Sequence, residues 1–81
     1  MKYHYVYILQ STVNEARYYV GRTKDLKQRL EQHNQGKVRY TANFVPWQIK
    51  TYLAFSDEES AVAFEKYLKS PSGRAFSKKR L

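Results

Sequence analysis

The sequence contains no cysteine, which excludes disulfide bonds, zinc fingers, iron–sulfur ligation and thiol nucleophiles. Its longest uninterrupted apolar run has five residues, Tyr5 to Leu9, whereas a membrane-spanning helix needs about 20. The N-terminal residues are polar and aromatic and do not resemble a signal peptide. Together these absences predict a cytoplasmic protein with no membrane partner.

The chain is nevertheless rich in residues that build a core. Its 81 residues include eight tyrosines, four phenylalanines and one tryptophan, and 42% are hydrophobic. This composition excludes a disordered tail and predicts one small folded domain covering residues 1–81. A chain of this length buries only about 60–65% of the surface that its unfolded form exposes, so its stability margin is thin.

The charge is strongly positive. Fifteen Lys and Arg against seven Asp and Glu give a net charge of +8, which favours a polyanionic partner such as nucleic acid. Charge alone leaves a membrane surface, a protein partner or no partner open. Residues 66–81 carry no acid and contain six basic residues, Lys66, Lys69, Arg74, Lys78, Lys79 and Arg80.

Residue patterning predicts three strands. Residues 3–10 place Tyr5 and Tyr7 on one face and Val6 and Ile8 on the other, and both faces can be buried. Residues 17–21 follow a short loop, which indicates an antiparallel hairpin. Residues 47–55 alternate as a third strand, and residues 37–46 are expected to form a loop or one helical turn.

Two helices complete the predicted fold. Thr23 or Asp25 can cap a first helix that ends near Gly36. Ser56 begins a capping-box pattern for a second helix that runs to about residue 69. Residues 70–73 break that helix, and one last turn is expected around Phe76. The predicted class is α+β, with elements in the order β-β-α-β-α and helices flanking a small three-stranded antiparallel sheet.

One carboxylate stands out as a candidate metal ligand. Without cysteine, a hard divalent ion on oxygen ligands is the realistic metal. Glu65 lies four residues after Ala61 and three before Leu68, inside an apolar stripe where a carboxylate needs a partner. The alternative is a residue at the edge of the stripe, whose stem packs while its carboxylate reaches water or a lysine.

Arginine, histidine and tyrosine supply the other candidates. Arg29 and His33 lie four residues apart on the inward side of the first helix, where a guanidinium can hold a phosphate. Tyr7 and Tyr19 lie on the first two strands, and Arg22 directly follows Gly21. Each also has an ordinary interpretation: Arg29 and Arg22 as solvated side chains, and the tyrosines and His33 as packing residues.

Ordered motifs in nearly the whole chain resemble the GIY-YIG nuclease family. They are Tyr5-Val6-Tyr7, Tyr19-Val20-Gly21 twelve residues on, Asp25-Leu26-x-x-Arg29, and a helical Glu65. Tyr5 stands where the family has its first Gly, and Val stands twice where it has Ile. The chain looks most like the small stand-alone prokaryotic members, which resemble the nuclease domain found in excinuclease ABC.

The resemblance implies a role for each matched residue. Tyr7 and Tyr19 match the motif tyrosines, one of which acts on the nucleophilic water. Arg29 matches the arginine that stabilises the transferring phosphate, and Glu65 matches the single carboxylate that binds one Mg²⁺ or Mn²⁺. His33 stands where relatives have Tyr or His, and is expected to transfer a proton or to contact phosphate.

The expected function is a metal-dependent endonuclease acting on DNA rather than RNA. So small a domain should have low sequence specificity and cut by structure, on single strands, or with a larger protein partner. Expected substrate contacts are Gly21, Arg22, Lys78, Lys79 and Arg80. One alternative is a non-catalytic nucleic-acid-binding module of the same fold, which would stack bases on Tyr40, Phe44 or Trp47. The other alternative is a protein-interaction subunit. Core packing is the favoured interpretation of Trp47.

Overall fold

The computed structural model describes residues 2–81. In chain order the elements are β1 (His4–Ser11), β2 (Tyr18–Thr23), α1 (Leu26–Asn34), a 3₁₀ turn (Ala42–Phe44), β3 (Trp47–Phe55), α2 (Glu58–Leu68) and α3 (Pro71–Arg80). The strands form one antiparallel sheet in the order β2-β1-β3, which confirms the predicted α+β class. Within residues 2–81, no helix combines the length and the apolar character needed to cross a membrane.

The central strand, β1, is buried on both faces, as its sequence predicts. Val6 and Ile8 pack against α2, on what we call the α2 face of the sheet. Tyr7 and Leu9 pack against Trp47 and the leucines of α1, on the α1 face. Burying each aliphatic side chain stabilises the fold by about 1.5–3 kcal/mol, so this strand anchors both layers. Trp47 is 4% exposed, which confirms that it belongs to the core.

A β-bulge changes which residues of β3 face α1. The register between β1 and β3 shifts midway, so that Leu9 pairs with Ile49 while Tyr7 pairs with Tyr52. Strict alternation would place Ile49 and Tyr52 on opposite faces, but the shift brings both to the α1 face. Tyr52 lies beyond the part of that face that α1 covers and is 52% exposed.

Carboxylates cap the first two helices. Asp25, one of the two caps that the sequence allowed, accepts a hydrogen bond from the Gln28 amide at 3.0 Å. The expectation for α2 was wrong by one residue, because Asp57 rather than Ser56 is the N-cap and accepts from the Ser60 amide at 2.8 Å. Both types cap well, and here the aspartate takes the position. Hydrogen bonds from Ser60 lower the pKa of the Asp57 carboxyl.

The C-terminal helix is longer than the single turn that the sequence predicts. Ser70 ends the preceding helix but also caps α3, since its hydroxyl accepts from the Gly73 amide at 3.1 Å. Pro71 takes the first helical position, where its missing N–H costs nothing. The Ser-Pro pair is therefore a start signal as well as a break. As a result, the basic tail is helical as far as Arg80.

Candidate active site

Tyr7 occupies the centre of the site and depends on a glycine beside it. It pairs with Gly21 across β1 and β2 and is 2% exposed. A Cβ atom on Gly21 would lie 2.4 Å from the Tyr7 hydroxyl oxygen, which is far inside contact distance. Gly21 therefore makes room for the tyrosine ring. Its expected contact with substrate stays a prediction.

Helix α1 directs Arg29 and His33 at that hydroxyl. The two residues are four apart, so they project from the same side of the helix. The Arg29 Nε donates to the Tyr7 hydroxyl at 3.3 Å, and its Nη1 donates to the Gln32 side chain at 3.0 Å. The His33 Nε2 lies 2.9 Å from the same hydroxyl, and the residue is completely buried. The motif spacing thus brings Tyr7, Arg29 and His33 into direct contact.

The loop between α1 and β3 supplies the second hydrogen-bond partner of His33. Its Nδ1 lies 2.8 Å from the Thr41 hydroxyl, which donates its own proton to the Val38 carbonyl at 3.2 Å. With that single proton on the Val38 carbonyl, the Thr41 hydroxyl accepts from His33 Nδ1–H. Nε2 is then unprotonated and accepts from Tyr7. The Trp47 indole N–H donates to the Thr41 carbonyl at 2.8 Å and holds the loop in place.

Burial and the arginine set the protonation states. Burial raises the pKa of Tyr7, while its hydrogen bond with Arg29 and that cation's charge act in the opposite direction. The Tyr19 and Glu65 charges add smaller raising effects. Burial and the Arg29 charge lower the pKa of His33 to about 4. Near neutral pH the site therefore holds a protonated tyrosine beside a neutral imidazole.

Tyr19 completes the group on the α1 face. Its ring centroid lies 4.9 Å from the His33 ring and 6.4 Å from the Tyr7 ring. The side chain is partly exposed, unlike that of Tyr7. Four of the five predicted catalytic residues thus lie together, with Tyr19 on the solvent side.

Glu65 lies apart from this group, on helix α2 across the sheet. Its carboxylate accepts from the Arg22 Nε at 3.3 Å and from the Lys69 Nζ at 3.0 Å, and its side chain is 20% exposed. Arg22 also contacts Glu58 at 3.5 Å. The carboxylate in the apolar stripe is therefore paired with two cations, and Arg22 is one of them rather than a free phosphate ligand. Burial is the main cause of the raised pKa of Tyr7, and the Glu65 charge adds the smallest of the contributions to it.

The donor set around Glu65 limits the type of metal it can bind. Among residues 2–81 no three His, Asp or Glu side chains converge as a metal site. Mg²⁺ is commonly held by one or two carboxylates, with water and substrate phosphates completing the shell. Glu65 fits such a partial site and does not fit a site made only of protein ligands. Its contacts with Arg22 and Lys69 must rearrange when an ion binds.

The predicted basic contacts near the C-terminus all lie on α3. Lys78, Lys79 and Arg80 are exposed in the last turn of that helix. Within the part of the chain that is described, the three form no ion pairs. Of the three, only Lys78 lines a groove that also reaches Tyr19.

Sequence reasoning missed three residues that support the site. Thr41 fixes the histidine, Gln32 holds the guanidinium, and Lys69 pairs with the candidate metal ligand. The sequence allowed an unspecified lysine as the partner of Glu65, and the structure identifies it as Lys69, four residues further along the helix. Thr41 lies in a polar loop whose sequence has no helical or strand periodicity. The only signal for such a residue was that a buried histidine needs a hydrogen-bond partner for each ring nitrogen.

Known proteins resemble the chain over most of its length. The model of the GIY-YIG catalytic domain matches residues 3–80. A UPF0213 protein of Haloquadratum walsbyi is 33% identical over 69 residues, which cover 84% of this chain and 75% of that protein. The structure-specific endonuclease subunit SLX1 of Chaetomium globosum is 40% identical over 72 residues, which cover 82% of this chain and 22% of that protein.

A solved structure agrees with these sequence matches. The solution NMR structure of the UPF0213 protein BH0048 from Bacillus halodurans superposes with a TM-score of 0.56 at 32% identity. The match covers 94% of this chain and 80% of the other. The narrower resemblance to the nuclease domain of excinuclease ABC stays a prediction. The motif residues, the sheet that aligns them and the match over residues 3–80 lead to one assignment: the chain belongs to the GIY-YIG family of nuclease catalytic domains.

Proposed function

We propose that this protein is an endonuclease that hydrolyses phosphodiester bonds, with DNA preferred over RNA and with a divalent metal ion bound at Glu65. The observation that carries the proposal is the hydrogen-bonded line from Arg29 through Tyr7 to His33. In a GIY-YIG domain, this line combines a fixed cation with a tyrosine whose proton has a ready acceptor.

Arg29 is placed to neutralise the phosphate. Two of its N–H groups are engaged, by Tyr7 and Gln32, and a guanidinium has five in all. The remaining donors are available to phosphate oxygens in a fixed planar geometry. Because negative charge on those oxygens grows as the water attacks, the cation stabilises the transition state more than the bound substrate.

Tyr7 and His33 provide a path for the proton of the attacking water. The water transfers a proton to the Tyr7 oxygen while the tyrosine proton moves to the unprotonated His33 Nε2. The resulting hydroxide bonds to phosphorus, the bond from phosphorus to the leaving sugar oxygen breaks, and solvent protonates that oxygen. Burial and, to a smaller extent, the Arg29 charge lower the pKa of His33. A phosphate bound at Arg29 offsets the second of these effects, so substrate makes the imidazole a better acceptor.

Glu65 would hold one Mg²⁺ or Mn²⁺ together with water and phosphate oxygens. When bound there, the ion would supply positive charge for the developing negative charge on the leaving oxygen. Arg22 and Lys69 then have to release the carboxylate, and each can turn to phosphate. A weak site of this kind should need substrate for full occupancy.

Relatives suggest where the enzyme acts. SLX1 is named a structure-specific endonuclease subunit, although this chain matches only 22% of its length. We therefore propose structure-directed cutting with little sequence specificity, and targeting by a larger protein partner.

A cleavage screen tests the function. Wild-type protein is incubated with plasmid, single-stranded, flap and branched DNA and with matched RNA, with Mg²⁺, Mn²⁺ or EDTA. Glu65→Gln should abolish metal-dependent cutting, whereas Glu59→Gln, an exposed glutamate on the same helix, should not. If wild type and Glu65→Gln cut alike, the assigned site is wrong. Binding that weakens with salt but gives no product would instead support the non-catalytic module.

A further inference from the structure

A groove of about 1020 Å³ passes the outer edge of β2 and is lined by residues of all three strands. Because β2 is the first strand of the order β2-β1-β3, its outer edge has no strand partner in the described sheet. The groove is reached by Tyr19 on the α1 face and by Tyr18 and Val20 on the α2 face. It therefore connects Tyr19, one of the two predicted catalytic tyrosines, with the basic helix α3.

The charge in this groove has a single sign. Its lining includes Arg17, Lys50, Lys69, Arg74 and Lys78, and no acidic residue. Lys69 is paired with Glu65, and Lys50 is bonded to the Leu81 carbonyl. The other three form no ion pair within residues 2–81. A concave surface of this kind focuses positive potential and attracts a polyanion.

Two tyrosines in the same groove are unusually open to solvent. Tyr18 is 53% exposed and Tyr40 is 83% exposed. Neither contributes to the two cores of the sheet. The Tyr18 hydroxyl accepts a hydrogen bond from Gln10. Aromatic rings exposed in a basic groove are the usual platforms for stacking bases of single-stranded nucleic acid.

We propose that the groove binds a single-stranded segment of nucleic acid, which crosses the edge of β2 between Tyr19 and α3. Arg74 and Lys78 contact its phosphates, and Tyr18 and Tyr40 stack on its bases. The bases in a duplex are already stacked on one another, so the two rings favour a strand that is unpaired at this point. The inference rests on the proposed function, since it assigns that activity a single-stranded or flapped substrate.

Helix α3 offers a matched pair of variants for the test. Arg74→Gln with Lys78→Gln removes one arginine and one lysine inside the groove, and Lys79→Gln with Arg80→Gln removes the same two residue types outside it. Binding is measured by fluorescence anisotropy of a labelled thymidine oligonucleotide in EDTA, over a range of salt concentrations. Gel analysis confirms that the probe stays intact.

The groove variant should bind about tenfold more weakly at low salt, and its salt slope should flatten by about 1.4 for two lost phosphate contacts. The outer variant removes the same charge from two residues that the sequence predicts as substrate contacts, so it should also lose affinity, but less than the groove variant does. Equal losses of affinity in the two variants would mean that α3 acts only as a general basic surface, and would overturn the assigned path of the strand.

A second pair of variants tests the stacking. Tyr40→Leu should weaken binding of the single strand at least several-fold and leave its salt slope unchanged, because stacking involves no counterion release. Tyr52→Leu changes an exposed tyrosine outside the groove and should have no effect. Duplex probes should respond to neither change. A loss with Tyr40→Leu that is equal for duplex and single strand would overturn the preference for unpaired bases.

These measurements are independent of cleavage. If no substrate is cut but the groove variants lose binding, the proposed endonuclease function fails and the groove assignment stands. If cleavage is confirmed and the groove variants bind and cut as wild type does, the function stands and the groove assignment fails.

Discussion

On the α1 face, Tyr7 and His33 are almost fully buried and form a line of hydrogen bonds that ends at Thr41. On the α2 face, Glu65 is 20% exposed and pairs with Arg22 and with Lys69, whose side chain is 52% exposed. The first arrangement is rigid and mostly neutral. The second consists of ion pairs that water and salt weaken. The difference indicates that one half of the site is preformed, whereas the other half must rearrange to take up a ligand.

Replacing Arg29 should have the largest effect, because it removes the only charge in the preformed line. Arg29→Ala should lower the turnover rate by about 10²–10³-fold. Substrate affinity should change little, since fourteen basic residues remain of the fifteen. Single-turnover cleavage at saturating substrate separates the two quantities, and Lys27→Ala on the same helix is the control. If Arg29→Ala weakens binding as much as it slows cutting, the arginine is an ordinary phosphate anchor.

The second largest effect should come from acid, which should destabilise the folded protein through His33. His33 binds a proton near pH 6.5 when unfolded but only near pH 4 when folded, so protonation favours the unfolded chain as the pH falls. The free energy of unfolding should fall by up to about 3 kcal/mol across that window.

Urea denaturation at about pH 7 and about pH 4.5 measures this change, with His33→Gln as the control for every other titrating group. The free energy of unfolding of the His33→Gln variant should depend less on pH than that of wild type. Equal dependence in the two proteins would mean that His33 does not carry the effect.

Replacing Thr41 tests whether the hydrogen bonds of Tyr7 and His33 depend on a residue outside the motifs. Thr41→Val keeps the shape but leaves the His33 Nδ1–H without its acceptor, which should cost about 1–3 kcal/mol of stability. Thr41→Ser retains the hydroxyl and should behave nearly as wild type. The ¹⁵N chemical shifts of the imidazole report the tautomer, and an unchanged Nδ1–H form in Thr41→Val would contradict the assigned role.

The ion pairs on the α2 face should give the smallest effects. Lys69→Gln should change stability by less than about 1 kcal/mol. It should also lower the Mg²⁺ concentration for half-maximal cleavage by up to about fivefold, because one competitor for Glu65 is removed. Lys69 also lines the groove, so the measurement uses saturating substrate to remove any effect on substrate binding. Lys66→Gln is the matched control. A higher Mg²⁺ requirement would show that Lys69 supports the metal site.

The sequence predicted the fold well because the alternation of β1 and the helical periodicity are local patterns. It also predicted that Arg29 and His33 face inward, since their spacing fixes a common helix side. The partners of these residues could not be predicted. Thr41 meets His33 through a loop, and Glu65 meets Arg22 through tertiary packing between α2 and β2. The length of α3 was underestimated because the Ser70-Pro71 pair marks both the end of α2 and the start of α3.

The bulge in β3 has a consequence for how the protein behaves at high concentration. At nine residues, β3 is the longest strand, and its outer side has no partner in the described sheet. Long regular edge strands recruit copies of themselves and promote aggregation. The bulge interrupts the hydrogen-bonding pattern that a second copy would need, and Lys50, the additional residue at that point, adds a charge. The irregularity that brings Tyr52 to the α1 face therefore also protects the protein against self-association.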